Sequence, residues 1–397
     1  MRITFLLTQD LSYPSGLGRY WPLAKELVRL GHEVEIIALH HAFGNLKRRS
    51  WKEAGVGIHY VGQMHVRQVG ARKLYFDTLN LVKVVTASTW NMTVRAILAK
   101  TDVFHLGKPQ PINGLAALVG ARLFRRKPLY LDCDDYEAES NRFSAAWQKR
   151  AFVLFEDNLP KFTKGVTVNT RFLAERNAAL GYPKERIVYV PNGIDRDRFG
   201  HVDSQLVQGL RESLGLKGKK VVLYVGSLSL ANHPVGLLLE AFAILSRRIK
   251  EAVLVLVGGG EDYDLICCRV REMGLGDRVI VVGRVEPHFV PYYLKLGHVS
   301  VDPVYDDVVA RARSPLKLFE SMALGVPVVT GDVGDRREIL GQAGLLVAPG
   351  DAEALAEGIM AMLQDEDRAK AMAEAALEMR ERYYWDVLVK DFAKVYS

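Results

Sequence analysis

Two stretches of this chain, opening at Ile3 and at Val221, follow one plan, and that repetition constrains the fold more than any other feature. In the first, Ile3 to Leu7 is a short apolar run and TQDLSYPSGLG is a loop rich in turn formers. Leu23, Leu27 and Leu30 then recur at helical spacing, Gly31 stands at the C-terminal cap position, and Glu33 to Leu39 reads as the next strand. In the second, Val221 to Ser227 leads into SLANHP, an apolar-faced helix near 235–249 and a strand from Ala252 to Val257. The second half holds expected strands near 221–226, 252–257, 278–282, 299–303, 327–330 and 344–347. VVLYV, VLVLV and VIVVG are apolar throughout, as strands covered on both faces of a parallel sheet are. The expected class is therefore α/β, with two Rossmann-like, doubly wound parallel-sheet domains facing each other across a cleft.

A length of 397 residues fits two such domains better than one core. The expected division is 1–200 for a first Rossmann-like domain and 201–378 for a second, with a helix over 379–397 packing back on the first. The boundary is placed between 195 and 218, where GIDRDRFGHVDSQLVQGLRESLGLKGKK reads as polar and irregular. A hydrophobic fraction of 49% with 25% charged residues excludes bulk disorder and collagen-like repeats. Cys133, Cys267 and Cys268 are too few for a disulfide framework, which fits a reducing cytoplasm. The apolar run at the N-terminus is too short for a signal peptide, and nothing approaches the ~20 apolar residues of a spanning helix. The expected location is cytoplasmic, with any membrane contact peripheral and on the inner face.

Charge is unevenly spread. Residues 1–200 hold 30 lysines and arginines against 18 aspartates and glutamates, and the remainder holds 23 against 28. KRRSWK (47–52), RQVGARKLYFDTLNLVKVV (67–85) and RLFRRK (122–127) mix cations with aromatic and aliphatic residues, as interfacial segments do. The preferred reading is an anionic membrane surface, and the alternative is a merely solvated basic face. No nucleic-acid-binding motif accompanies the charge.

Gly16 and Gly18 precede a helix start, where small residues let a phosphate approach backbone N–H groups; an ordinary β–α turn explains them equally well. The segment ARARSPLKLFESMALGVPVVTGD (310–332) says more. Ser314 is expected as N-cap and Pro315 in the first turn, with Gly325 closing the helix. Arg311, Arg313 and Lys317 then crowd a helix N-terminus, where the dipole disfavours cations unless an anion sits there. A diphosphate suits that position, and Glu320 is placed to accept hydrogen bonds from a ribose diol. The alternative is three solvated cations and a surface glutamate.

PLKLFESMALGVPVV resembles the signature of the retaining, GT-B-fold "group 1" glycosyltransferases. Other marks fall in the family's order: G16-L-G-R, G31-H-E-V, D102-V-F-H, V168-N-T-R-F-L-A-E, V190-P-N-G-I-D, Y224-V-G-S, L256-V-G-G-G-E, V282-G-R-V, A343-G-L-L-V and Trp385 before the last helix. The resemblance implies transfer of a sugar from a UDP- or GDP-sugar to a glycan or lipid-linked acceptor, retaining and without a required metal or cofactor. Residue by residue, it implies Glu320 on the ribose and Val285, beside Arg284, at the base. Lys317, Leu316 and Leu318 fall at the helix start that receives the phosphates, with Gly16 or Gly18 across the cleft. Two departures stand out. Ala312 occupies the place of the first glutamate of the family's E-x7-E pair, and the loop after Tyr224 offers Ser227, Asn232 and His233 where relatives often carry Arg and Lys. Arg311 and Arg313 are expected to supply the missing charge, Arg311 and Lys317 as catalytic groups.

In YLDCDDYE, Asp134 matches the position of a histidine in relatives, and a carboxylate there would orient the acceptor hydroxyl or take its proton. Asp132 and Asp135 beside it leave two alternatives, a divalent-ion site or a solvated acidic loop. His105 reads equally as a core or a site residue. Non-catalytic nucleotide-sugar binding and a GT-B-fold nucleotide-sugar epimerase are the competing functions.

Overall fold

The computed structural model describes all 397 residues. The first lobe is built on an eight-stranded sheet of β1 (Arg2–Leu7), β2 (Glu33–His40), β3 (Ser50–Glu53), β4 (Val56–Gln63), β7 (Val103–Gly107), β8 (Leu129–Cys133), β9 (Gly165–Val168) and β10 (Ile187–Tyr189). Between β4 and β7 lies a separate hairpin of β5 (Val66–Val69) and β6 (Arg72–Tyr75). The large sheet runs β10-β9-β8-β7-β1-β2-β4-β3, parallel except for the edge strand β3. The second lobe carries β11 (Lys220–Val225), β12 (Ala252–Val257), β13 (Val279–Gly283), β14 (Val299–Asp302), β15 (Val328–Gly331) and β16 (Gly344–Val347). Its order is β13-β12-β11-β14-β15-β16, all parallel.

The fold is thus α/β with two parallel sheets, as the unbroken apolar runs imply: every residue of β12 is buried. Each sheet reverses its winding once, between β1 and β7 in the first lobe and between β11 and β14 in the second. In sheets of this kind a ligand binds beyond the strand ends at that reversal. The loops after β1, β7, β11 and β14 therefore stand where a ligand of such a fold sits.

Three local expectations need correction. The 195–218 segment is not irregular: it holds helices Arg196–Phe199 and Ser204–Ser213, begun by side-chain caps from Asp195 and Asp203. Val207, Leu210 and Leu214 then pack on the second lobe's core, an amphipathic pattern that the many charges obscure. The last helix spans only Trp385–Ala393, because the chain turns at Tyr383 and Tyr384 runs extended to bridge Ile194 through Ile194 N–Tyr383 O (2.7 Å) and Trp385 N–Ile194 O (3.1 Å). Ser314 does not cap helix Leu316–Ala323; its hydroxyl instead accepts from the backbone N–H of Asn192 in the first lobe (3.0 Å).

The final helix lies on the first lobe. Trp385, Leu388, Val389, Phe392 and Val395 join the cluster of Phe5, Leu23 and Ile36, and Trp385 Nε1 donates to Gly18 O (2.9 Å). The chain therefore crosses twice between the lobes, near Ile194 and near Tyr384.

Candidate functional site

The strand ends at both reversals converge on a cleft of about 450 Å³, lined by residues of both lobes. On the second lobe's side, Ser227 follows β11, Asn232 and His233 lie farther along that loop, and Arg284 and Val285 follow β13. Arg313, Ser314, Pro315, Leu316, Lys317 and Glu320 present the start of helix Leu316–Ala323 to the same space.

Lys317 is held from below. Its Nζ lies 2.9 Å from Asp302 Oδ1, at the end of β14, and 4.8 Å from the centroid of the Tyr224 ring. Asp302 also accepts from Arg336 Nε (3.0 Å) and Thr330 Oγ1 (3.2 Å). Burial works against the Asp302 charge, yet Lys317 and Arg336 outweigh it and hold the carboxyl far below its usual range. Burial pulls the Lys317 ammonium down, with Asp302 opposing. Arg313 Nη1 donates to Asn232 O (2.6 Å), which ties the helix start to the loop after β11. Glu320 is 14% exposed beside Arg198 (3.5 Å), and burial raises its pKa with Arg198 opposing. Burial leaves His233 neutral, well below the usual imidazole value.

The first lobe supplies a different wall. Thr8 follows β1, Lys108 and Gln110 follow β7, and Asp134, Asp135 and Glu137 follow β8. Thr8 bonds Gln110, Gln110 bonds Glu137, and Glu137 Oε1 lies 2.7 Å from Lys108 Nζ. Lys108 Nζ is 3.1 Å from Asp134 Oδ1 and 3.7 Å from Asp135 Oδ2. Burial pushes the Asp134 carboxyl up; Lys108 pulls it back and Asp132 pushes it further. Lys108 thus faces three carboxylates, and with Lys73 as the other first-lobe cation in the lining this side of the cleft holds two cations against three acidic groups.

Several residues singled out in the sequence lie elsewhere. Arg311 is exposed, and Nε and Nη2 hold Asp306 at 2.7 and 2.9 Å; it is outside the cleft lining. Its loop closes on an aspartate five residues back, a pairing no motif spacing reveals. Leu318 is wholly buried in the second lobe's core, on the face of its helix turned away from the cleft. Gly16 and Gly18 do not line the cleft, although Ser15 and Leu17 do. Gly18 is small for a packing reason: a Cβ there would meet the Leu316 side chain at 2.6 Å. Ala312 is fully buried within the first lobe's apolar cluster, where a glutamate would be desolvated among hydrocarbon.

The acidic triplet also divides. Asp132 is bound at both oxygens by Arg19, Nε–Oδ2 at 2.7 Å and Nη2–Oδ1 at 2.6 Å, so it is not presented beside Asp134 as a second metal ligand. His105 is a core residue, stacked on Phe5 and Phe392 and bonded to Tyr396 Oη (2.8 Å). Asp10, His40 and His41 bring three ligand atoms within 4.8 Å of one another, but Asp10 already accepts from Ser12, Tyr60 and both histidines. Sequence reasoning missed Lys108, Gln110, Glu137, Asp302 and Arg198. For Lys108, Gln110, Glu137 and Asp302 the only signal was position at or just beyond a strand end, which becomes informative once the sheet order shows which strand ends meet; Arg198 sits in helix Arg196–Phe199 and carried no such signal.

Residues 208–379 match the family model described as "Glycosyl transferases group 1", and residues 15–193 the one described as "Glycosyl transferase 4-like domain". The chain is 28% identical over 236 residues to a GDP-mannose-dependent alpha-(1-6)-phosphatidylinositol monomannoside mannosyltransferase of Mycobacterium tuberculosis, covering 58% of this chain and 61% of that one. It is 29% identical over 184 residues to the alpha-D-kanosaminyltransferase of Streptomyces kanamyceticus, covering 45% and 46%. The match therefore spans about three fifths or less of these relatives' length. Among solved structures, sucrose-phosphate synthase from Thermosynechococcus elongatus superposes with a TM-score of 0.77 at 19% identity, covering 100% of this chain and 98% of that one. Anabaena HepE in complex with UDP-glucose gives 0.72 at 18% identity, covering 99% and 98%. At such identities the likeness is one of fold.

Proposed function

The chain belongs to the group 1 glycosyltransferases of the GT-B fold, and we propose that it moves a sugar, with retained anomeric configuration, from a nucleotide diphosphate donor to a glycan or lipid-linked acceptor. One observation carries this reading, the opposite polarity of the two cleft walls. Lys317, Arg313 and a helix start face Asp134, Asp135 and Glu137, whose charge Lys108 offsets only in part. When a glycosyl–phosphate bond breaks, negative charge grows on the diphosphate and positive charge on the sugar ring. A cleft cationic on one side and anionic on the other favours that separation.

In this reading Lys317, with Arg313 and the Leu316 end of the helix, receives the departing phosphates. Glu320 holds the ribose diol, the Val285 backbone meets the base, and Asp134 receives the acceptor hydroxyl. The steps need no metal from these residues. The mannosyltransferase relative's GDP-mannose and HepE's UDP-glucose both support a UDP- or GDP-sugar as donor. The relative's phosphatidylinositol mannoside supports a lipid-linked, cell-envelope acceptor.

Peripheral membrane binding belongs to the same proposal. Helix Thr78–Leu98 exposes Leu79, Val82, Trp90 and Leu98, and the neighbouring helical segment exposes Leu123 and Phe124 beside Arg122, Arg125 and Arg126. No helix is long and apolar enough to cross a membrane. The 67–75 stretch has another use, since hairpin β5–β6 reaches the second lobe. Flotation with anionic vesicles is expected to show binding that high salt and Phe124→Glu both weaken; absence of salt-sensitive binding removes the membrane part.

The function itself is tested by incubating the protein with UDP-glucose and GDP-mannose, with glycan and phosphatidylinositol acceptors, and reading the anomeric configuration of the product by NMR. Retained product is expected. Binding without turnover on every donor favours a binding-only homologue, and conversion of the donor sugar to an epimer favours an epimerase.

A further inference from the structure

Of the three residues other than glycine with left-handed backbone, Ala54, Lys108 and Arg126, only Lys108 lines the cleft. Its φ is 72°, a conformation that side chains with a Cβ rarely adopt and that surrounding structure must hold. It is held from both sides. The Lys108 N–H donates to Asp132 O (2.9 Å), and its C=O accepts from Gln110 N and from Asn113 Nδ2, each at 3.0 Å. Asn113 is itself fully buried and also donates to Leu6 O and Gly107 O, so the turn is locked to the ends of β1 and β7.

Locked this way, the Lys108 ammonium is the only cation within ion-pair distance of Asp134, and it pairs with Glu137 as well. Asp134 lines the cleft at 7% exposure, and the Lys108 ammonium, 3.1 Å from its occluded Oδ1, grips the carboxylate from the side away from the cleft space.

We propose that Lys108 is a positioning residue for the acceptor half of the reaction, holding the Asp134 carboxylate by Oδ1 so that Oδ2 is left for the acceptor hydroxyl, while taking no part in donor binding. The inference rests on the glycosyltransferase reading of the cleft. In the step it serves, the hydroxyl oxygen bonds to the anomeric carbon as the anomeric carbon–phosphate oxygen bond breaks. That electron pair leaves on the diphosphate, and the hydroxyl proton passes to Asp134 or to the departing phosphate. Lys108, Asp132, Arg19, Glu137, Tyr20 and Asp135 are the groups around Asp134, and Lys108 and Arg19 are the cations that favour its ionised form.

The test compares the full-length wild type with Lys108→Met and Lys108→Arg. UDP and GDP affinities are measured by calorimetry, and turnover of UDP-glucose and GDP-mannose is followed with water and with methyl α-mannoside as acceptors. Lys108→Met is expected to keep nucleotide affinity within about twofold and lose turnover at least tenfold, and Lys108→Arg to recover most of it. Should Lys108→Met fail to fold, Lys108→Asn tolerates the left-handed backbone and tests the same charge. A readout independent of turnover is the ¹³Cγ signal of Asp134, assigned by comparison with Asp134→Asn. Its titration midpoint should move to higher pH in Lys108→Met and stay near wild type in Lys108→Arg. An unmoved midpoint, or equal losses of turnover and nucleotide affinity, overturns the role. A wild type inert on every donor, with the midpoint shifted in the variant, instead defeats the glycosyltransferase reading.

Discussion

Lys317 and Arg311 stand six positions apart in one basic run, and the fold gives them opposite fates. Lys317→Ala removes the cation that Asp302 holds at the helix start, and is expected to raise the donor KM or lower kcat at least tenfold. Arg311→Ala breaks only an exposed pair with Asp306 and should leave steady-state kinetics within about twofold of wild type. Equal effects would place the phosphate site wrongly. The motif made Lys317 legible, because its place within the helix follows from the sequence. Arg311 was misread because its partner depends on how a loop closes, and Asp302 stayed hidden because it meets Lys317 only through strand order. His105 carries a stability prediction. Burial depresses its pKa to about 3, against about 6.5 unfolded. The unfolded chain therefore binds the extra proton between those values, so this contribution is complete above pH ~6.5 and erodes as pH falls toward 3. At pH 5 the loss is about 2 kcal/mol, and His105→Phe should flatten the fall in denaturant midpoint between pH 7 and 5. An unchanged slope would contradict the burial argument.

At the scale of elements, the hairpin β5–β6 is the piece that sequence reasoning assigned to the wrong surface. Its turn lies on the second lobe: Gly260 N donates to Ala71 O (2.8 Å), and a Cβ on Gly259 would stand 2.3 Å from that same oxygen. Arg72 pairs with Asp264 (2.8 Å), and Arg142 pairs with Asp262 (2.8 Å) beside the hairpin. The run G258-G-G-E is therefore a docking place for another element, a need invisible without knowing what arrives there. Gly259→Ala should push the hairpin off, seen as faster amide exchange across 66–75 with little change at β12; unchanged exchange would show that the contact is slack. The strands themselves were legible because apolar runs bounded by turn residues are local signals. The helices at 196–213 were not, since their apolar residues are sparse and their stability comes from packing on a lobe assembled later in the chain.

Across the whole molecule, the basic front half and acidic back half partly answer each other. Arg72, Arg142 and Arg171 of the first lobe reach Asp264, Asp262 and Glu338 of the second. These exposed pairs contribute roughly 0.2–1 kcal/mol each and weaken with salt, enough to bias the lobes toward contact without locking them. The buried links matter more. Arg19 joins Asp132 to Asn192 Oδ1 (3.2 Å), and Asn192 Nδ2 donates to Ser314 O (2.7 Å) at the entrance to helix Leu316–Ala323. The anionic wall of one lobe is thereby fixed to the cationic wall of the other. The most direct measurement is calorimetric titration of UDP- and GDP-sugars into wild type, Lys317→Ala and Glu320→Ala. One nucleotide sugar should bind the wild type at a single site and lose at least tenfold in affinity in both variants; binding unaffected by either substitution would contradict a diphosphate donor seated at that helix.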